Sequence, residues 1–255
     1  MIIKELIMTG IIIQARTGSI RLPNKMILPF YEGRGILELL IKKLKINIPE
    51  IPIILATTNN AKDDCLTFIG EKLKVDVFRG HENNVLERYI KAAEYFKITK
   101  IIRICADNPF LDMNYLKDLL KEFENNSVEY LAFSTIHNIP TIKTHYGFWA
   151  EGVSLSALKK VRELTNEKIF LEHVTNFIYS NKESFSQKYI TISPEIENSV
   201  VRLTVDTIED FNLAQEIYIQ AKKEKISGAI ALVKFISTRP KWIQQMVRQI
   251  ELNTK

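Results

Sequence analysis

Short apolar, β-branched runs alternate with stretches of helical period along the first half of the chain. Residues 11–14, 53–56, 75–78 and 101–105 read as strands. Between and after them, Ile36, Leu37, Leu40, Ile41 and Leu44 share one helical face, residues 61–74 form a second helix, and Val85, Leu86, Tyr89, Ile90 and Ala93 line a third. Residues 113–123 supply a fourth. This βαβα order predicts an α/β fold with a mostly parallel sheet covered on both faces, and ligands at the carboxyl ends of its strands.

The second half is less regular. Residues 128–133, 147–153, 189–192 and 200–205 read as strands, and 154–163, 168–180 and 208–223 as helices. The tail holds the apolar run 229–236, then Pro240 at a helix start and an amphipathic stretch to Ile250. With no repeat, low-complexity tract or Gly/Pro-rich linker, the expectation is one domain over residues 1–255. Residues 1–10 would be an N-terminal extension, either an added β-segment or a lead-in to a start at Met8, and residues 225–255 a helical C-terminal segment.

Composition narrows the classes. A chain of 255 residues, 46% hydrophobic and 25% charged, buries a full core. The net charge of +5 is spread among mixed-sign helices, which suits small anionic ligands as well as nucleic acid. Both cysteines, Cys65 and Cys105, fall in segments that read as buried and lack metal-type spacing, so reduced thiols and a cytoplasmic location are expected. The apolar start contains Lys4 and Glu5, and no run of about 18 apolar residues occurs, so neither secretion nor membrane spanning is expected.

Candidate chemistry concentrates after the first strand. Arg16, Thr17, Gly18, Ser19, Arg21 and Lys25 form a basic, turn-rich loop, which reads as a triphosphate cradle because backbone N–H groups and cations converge there. A Walker motif is absent. Asp107 in ADNP and Asp206 in VRLTVDTIEDF each follow an apolar run. Either can be a local turn or helix cap. Together with the basic loop, however, they form the hard-oxygen set that Mg²⁺ uses when it shares ligands with phosphates.

The segments IIIQARTGSIRLPNKMILP, LATT, VFRGHENNVLERYIKAAEYF, IIRICADNPFLD, EHVT and RLTVDTIEDF, in this order across about residues 11–250, resemble cytidylyltransferases of the spore coat polysaccharide biosynthesis type. These are related to the enzymes that make CMP derivatives of Kdo and sialic acids. The resemblance implies a Rossmann-like, glycosyltransferase-A-type α/β/α sandwich using CTP and Mg²⁺. It implies nucleotide contacts from Gln14, Ala15, Arg16, Thr17, Gly18, Ser19, Arg21, Lys25, Thr57, Arg79, Arg88 and Asp107. Catalysis would fall to Arg16, Arg21 and Lys25, and metal binding to Asp107 and Asp206. Arg88 can equally be a helix-surface ion-pair residue.

Departures from the pattern fall mainly on the acceptor side. Asn24 stands where Gly is frequent, Asn84 where Asp is, and Leu171 where Arg is. Trp149 takes the place of an Asp in a segment that keeps Glu151. Glu151, His173 and Trp149 are the acceptor candidates, although His173 and Trp149 also fit core or surface roles.

The implied reaction is transfer of CMP from CTP to a sugar, sugar acid or sugar phosphate with release of pyrophosphate, in surface-glycan precursor synthesis. The expected partners are CTP and a sugar-type acceptor, with no nucleic acid or membrane and with a homodimer left open. A nucleotide-sugar-dependent glycosyltransferase on the same fold is one alternative, but the acidic pairs Glu122/Glu124 and Glu195/Glu197 read as solvated. A non-enzymatic nucleic-acid-binding module is the other, and it lacks aromatics interleaved with a basic patch.

Overall fold

The computed structural model describes residues 8–197 and 199–253. In chain order the strands and helices are β1 (Thr9–Gln14), α1 (Ile36–Asn47), β2 (Ile53–Thr58), α2 (Asp64–Lys72), β3 (Asp76–Gly80), α3 (Val85–Tyr95), β4 (Lys100–Cys105), α4 (Met113–Asn125) and β5 (Tyr130–Ser134). They continue as β6 (Glu151–Ser154), α5 (Leu155–Leu164), α6 (Lys168–Glu172), α7 (Asn176–Ser180), β7 (Gln187–Thr191), α8 (Pro194–Glu197), α9 (Ile208–Lys223), α10 (Ala229–Ser237) and α11 (Pro240–Leu252). The seven strands make one sheet, ordered β3-β2-β1-β4-β6-β5-β7. All pairings are parallel except those of β6 with β4 and β5.

Alternation along the central strands divides the apolar interior into two cores. Ile11, Ile13, Ile102 and Ile104 point into one, beneath α1, α4 and α9 to α11; Ile12, Ile54 and Ile101 point into the other, beneath α3, α5 and α7. Side chains on both faces of β1 are fully buried, which is why its sequence is continuously apolar. Truncating Ile12 to Ala would cost about 2–5 kcal/mol.

Helix starts follow local chemistry. Asn84 accepts the Glu87 N–H to begin α3, and Asp112 accepts the Asn114 and Tyr115 N–H groups to begin α4. Thr207 and Asp210 form a capping box at α9, so Thr207, rather than Asp206, is the cap.

Several expected elements differ. Residues 200–205 are in no strand: Val201, Leu203 and Val205 are buried, but the backbone makes isolated bonds, Leu203 N–H to His145 O and Val205 N–H to Asp107 O, instead of a ladder. The helix expected over 168–180 is broken into α6 and α7 at His173–Thr175, where the Thr175 hydroxyl turns inward to a buried carboxylate. The strand expected at 147–153 starts only at Glu151: Gly147 adopts φ 73° against Leu203, and the Phe148 carbonyl accepts the Asp112 N–H instead of a ladder bond. Cys65 and Cys105 are half-buried rather than fully buried. Of the expected N-terminal extension, Thr9 and Gly10 belong to β1 and residues 1–7 lie outside the described residues. Within the C-terminal segment α10 and α11 are helical as expected. Among the described residues no helix is long and apolar enough to cross a membrane.

Candidate active site

The parallel order of β1, β2 and β4 brings three chain segments together at the carboxyl ends of these strands: the basic loop after β1, the loop after β2 and the ADNP turn after β4. The non-sheet segment 200–206 lies against that turn through the Val205 N–H bond to Asp107 O. Lys25 is buried at their junction, with 6% of its surface exposed. Its ammonium donates to Asp107 Oδ2 at 2.8 Å and to Val205 O at 2.6 Å, and lies 3.6 Å from Asp206 Oδ1. Burial alone would lower the Lys25 pKa, but Asp107 and Asp206 outweigh it and the pKa is raised.

The other loop cations are also paired. Arg21 lies 3.0 Å from Asp206 Oδ1, and Arg16 donates to Glu172 on α6 at 2.8 Å. Asn24 has φ 60°, a conformation that Asn tolerates where Gly would be easiest. Gly18 is exposed, whereas the Ser19 N–H is turned inward to Thr17 O at 2.9 Å.

The loop is tied to β2 by a residue that sequence reasoning missed. Asp63, 2% exposed, accepts the Thr17 N–H at 2.7 Å and the Thr17 hydroxyl at 2.6 Å, and also takes the Thr58 hydroxyl. In the run NNAKDD nothing separates it from Asp64.

Arg79 spends its donors on the same region, Nε to Thr58 O, a terminal nitrogen to Asn60 O and another to Asp64. Arg88 is fully buried, not a surface ion-pair residue: one terminal nitrogen donates to His81 O at 2.6 Å, while Nε and the other terminal nitrogen have no partner. Burial lowers its pKa, and Arg16 nearby lowers it further. Thr57 and Gln14 likewise hold unpartnered buried side-chain oxygens beside the loop, and Ala15 anchors its start through an N–H bond to Ala56 O. Donor and acceptor capacity is thus left over beneath the cradle, while the start of the loop is anchored through Thr17 to Asp63.

A cleft of about 630 Å³ runs from Arg21, Asp107 and Asp206 to Trp149, Glu151, His173 and Tyr179. It brings together the predicted metal carboxylates and all three predicted acceptor residues. Their environments differ sharply. Glu151 is 3% exposed and held at the floor by Arg103, Tyr130 and Thr175, so its oxygens are already occupied. Trp149 sits among Tyr115, Phe133, Tyr146 and Phe148 with its indole N–H unpartnered. His173 is exposed at the end of α6. Burial, and the neighbouring Glu151 charge, push the Tyr179 phenol on the cleft wall up to about 12, so it stays a neutral donor at physiological pH.

Asp107 and Asp206, partly exposed and converging on one ammonium, suit a divalent cation that completes its shell with phosphate oxygens and water. Among the described residues there is no group of three or more His, Cys, Asp or Glu that would make a self-sufficient metal cage. The donor set therefore fits a shared ion.

The family described as Cytidylyltransferase matches residues 10–249. An uncharacterized protein of Methanocaldococcus jannaschii is 36% identical over 206 residues, 81% of each chain. The spore coat polysaccharide biosynthesis protein SpsF of Bacillus subtilis is 29% identical over 234 residues, 90% of this chain and 94% of that one. The solved structure of a cytidylyltransferase from Leptospira borgpetersenii superposes with a TM-score of 0.81 at 31% identity, covering 94% of this chain and 98% of that chain.

Proposed function

The chain belongs to the cytidylyltransferase family, and from that premise we propose that it transfers CMP from CTP to a sugar, sugar acid or sugar phosphate, releasing pyrophosphate for surface-glycan precursor synthesis in the cytoplasm. One observation carries this reading: a single cleft holds the basic loop's Arg21 and the Asp107/Asp206 pair at one end and a polar-aromatic chamber of sugar size at the other.

In this reading the acceptor oxygen attacks the α-phosphorus of CTP and the pyrophosphate departs on the opposite side. Arg16, Arg21 and Lys25 neutralise the charge that grows on the leaving group, and the loop bound to Asp63 holds the triphosphate in line. Asp107 and Asp206 would hold Mg²⁺, which when bound supplies positive charge against the reacting phosphates. Arg16, Arg21 and Lys25 exchange their carboxylate partners for phosphate oxygens as the nucleotide enters. Trp149 offers an apolar wall, and His173 and Tyr179 offer hydrogen bonds, to an acceptor carrying both an apolar or acylated face and polar groups. The whole chain acts as one nucleotidyltransferase domain.

The test is a pyrophosphate-release screen of all four nucleoside triphosphates against sugar acids and sugar phosphates, with and without Mg²⁺. Turnover that requires CTP, the metal and one acceptor class supports the proposal. Hydrolysis or transfer of a preformed nucleotide sugar, with no pyrophosphate released from CTP, would replace it with the glycosyltransferase reading.

A further inference from the structure

Arg202 is one charge in the otherwise apolar or uncharged run 200–205, and its side chain is only 1% exposed. A guanidinium buried so completely is weak evidence for stability, because the cost of dehydrating it offsets most of what a paired carboxylate returns. Its contacts say what else it does. Nε and one terminal nitrogen make a fork to the two oxygens of Asp210, both at 2.7 Å. The same terminal nitrogen lies 3.5 Å from Asp206 Oδ2. The other terminal nitrogen is 2.7 Å from His145 Nδ1.

Asp210 does more than neutralise the arginine. Its Oδ2 accepts the backbone N–H groups of Asp206 and Thr207, each at 3.1 Å. The backbone of Asp206 is therefore gripped through Asp210, and its side-chain Oδ2 is drawn toward Arg202. Oδ1 is left to face Lys25 and Arg21 in the cleft. Because segment 200–206 belongs to no sheet ladder, no strand pairing can aim this carboxylate, and the fork takes over that task.

The same guanidinium reaches the acceptor end. With Arg202 donating, His145 Nδ1 is the acceptor and the ring proton sits on Nε2. The His145 carbonyl in turn accepts the Leu203 N–H at 2.8 Å, and the neighbouring Thr144 and Gly147 line the cleft.

We infer that Arg202 is a positioning residue that orients Asp206 for the divalent cation through its fork to Asp210, while fixing the His145 turn that borders the acceptor chamber. The inference rests on the proposed role of Asp206 as a cation ligand. Lysine cannot reproduce it, since a single ammonium cannot grip both Asp210 oxygens and His145 at once.

The experiment titrates Mn²⁺ by electron paramagnetic resonance in the full-length protein saturated with a non-hydrolysable CTP analogue, alongside thermal unfolding. In Arg202→Lys and Asp210→Asn, Mn²⁺ affinity should fall about tenfold or more while both proteins remain cooperatively folded. Ile90→Val, a core change on the opposite face of the sheet, should lower the unfolding temperature without moving the titration. Unaltered Mn²⁺ affinity in Arg202→Lys, with Asp206→Asn losing it, would overturn the positioning role and leave the metal site standing. Wild-type affinity in Asp206→Asn would overturn both.

Discussion

Lys25 and Asp107, 82 positions apart in the chain, are joined by a 2.8 Å ion pair where the basic loop meets the end of β4. The pair sets a buried positive charge against a carboxylate and couples the basic loop to the end of β4. It also gives Asp107 a structural share that a ligand role alone would not.

Asp107→Asn should therefore lower stability as well as turnover. Its loss leaves the buried ammonium with Val205 O and a more distant Asp206, a cost of about 1–3 kcal/mol once the partial exposure of Asp107 is allowed for. Lys25→Met in the same protein should recover part of that loss. A thermal double-mutant cycle with no coupling would refute the structural share.

Lys25→Met alone should reduce the turnover number more than it raises the CTP KM, since the charge it meets grows as pyrophosphate leaves. Steady-state kinetics at saturating metal read this directly, and intact values for both parameters would mark Lys25 as a purely structural cation.

Asp63→Ala removes the acceptor for the Thr17 N–H, the Thr17 hydroxyl and the Thr58 hydroxyl together. The loop loses its attachment to β2, so CTP affinity should weaken about tenfold, or roughly 1.4 kcal/mol, with a smaller effect on the rate at saturation. Equilibrium nucleotide binding is the measurement, and unchanged affinity would show that the cradle holds its shape without this anchor.

Glu151→Gln should destabilise the protein by about 3 kcal/mol or more, because Arg103 is 7% exposed and loses its charged partner. Trp149→Asp should be worse tolerated still, as it places a carboxylate among Tyr115, Phe133, Tyr146 and Phe148. Denaturant unfolding checks both. A stable Trp149→Asp protein would mean that the chamber admits water at that position.

Lys43 gives the pH dependence a definite sign. It borders a smaller cavity of about 280 Å³ between α1, α4, α9 and α10. Its ammonium donates to Leu111 O, and burial lowers its pKa from 10.5 to about 8. Between those values the unfolded chain binds more protons, so stability rises with pH. At pH 7 the full cost of burying the charge is present, and above 10.5 it is gone. Wild type should therefore gain on Lys43→Met between pH 7 and pH 10, by at most about 1.4 kcal/mol per unit within the window. Parallel unfolding curves for the two proteins across that range would contradict it.

Much of the architecture is legible without coordinates. The runs 11–14, 53–56 and 101–105 carry apolar residues on both faces, as a central parallel strand requires, and α3 shows its buried face at helical spacing. The basic loop and Asp107 stand out because charge that follows an apolar run marks a strand's end, and Asp206 stands out by the same signal although the run before it pairs with no strand. The 200–205 run misleads for the same reason, since burial and β-branching look alike whether or not a neighbouring strand is there to pair with.

Periodicity and local chemistry alone suffice for the strands at the centre of the sheet, the helices that cover them, and the basic loop and Asp107 at the carboxyl ends of β1 and β4. Tertiary structure alone decided the antiparallel insertion of β6, the anchoring of Thr17 by Asp63, the occupied state of Glu151 and the grip of Arg202 on Asp210. Hydrogen-bond partners remote in the chain are chosen by the geometry of packing, and no local pattern of residues records that choice. A solitary arginine inside an apolar run, as at Arg103 and Arg202, signals that a buried partner is needed but not which one.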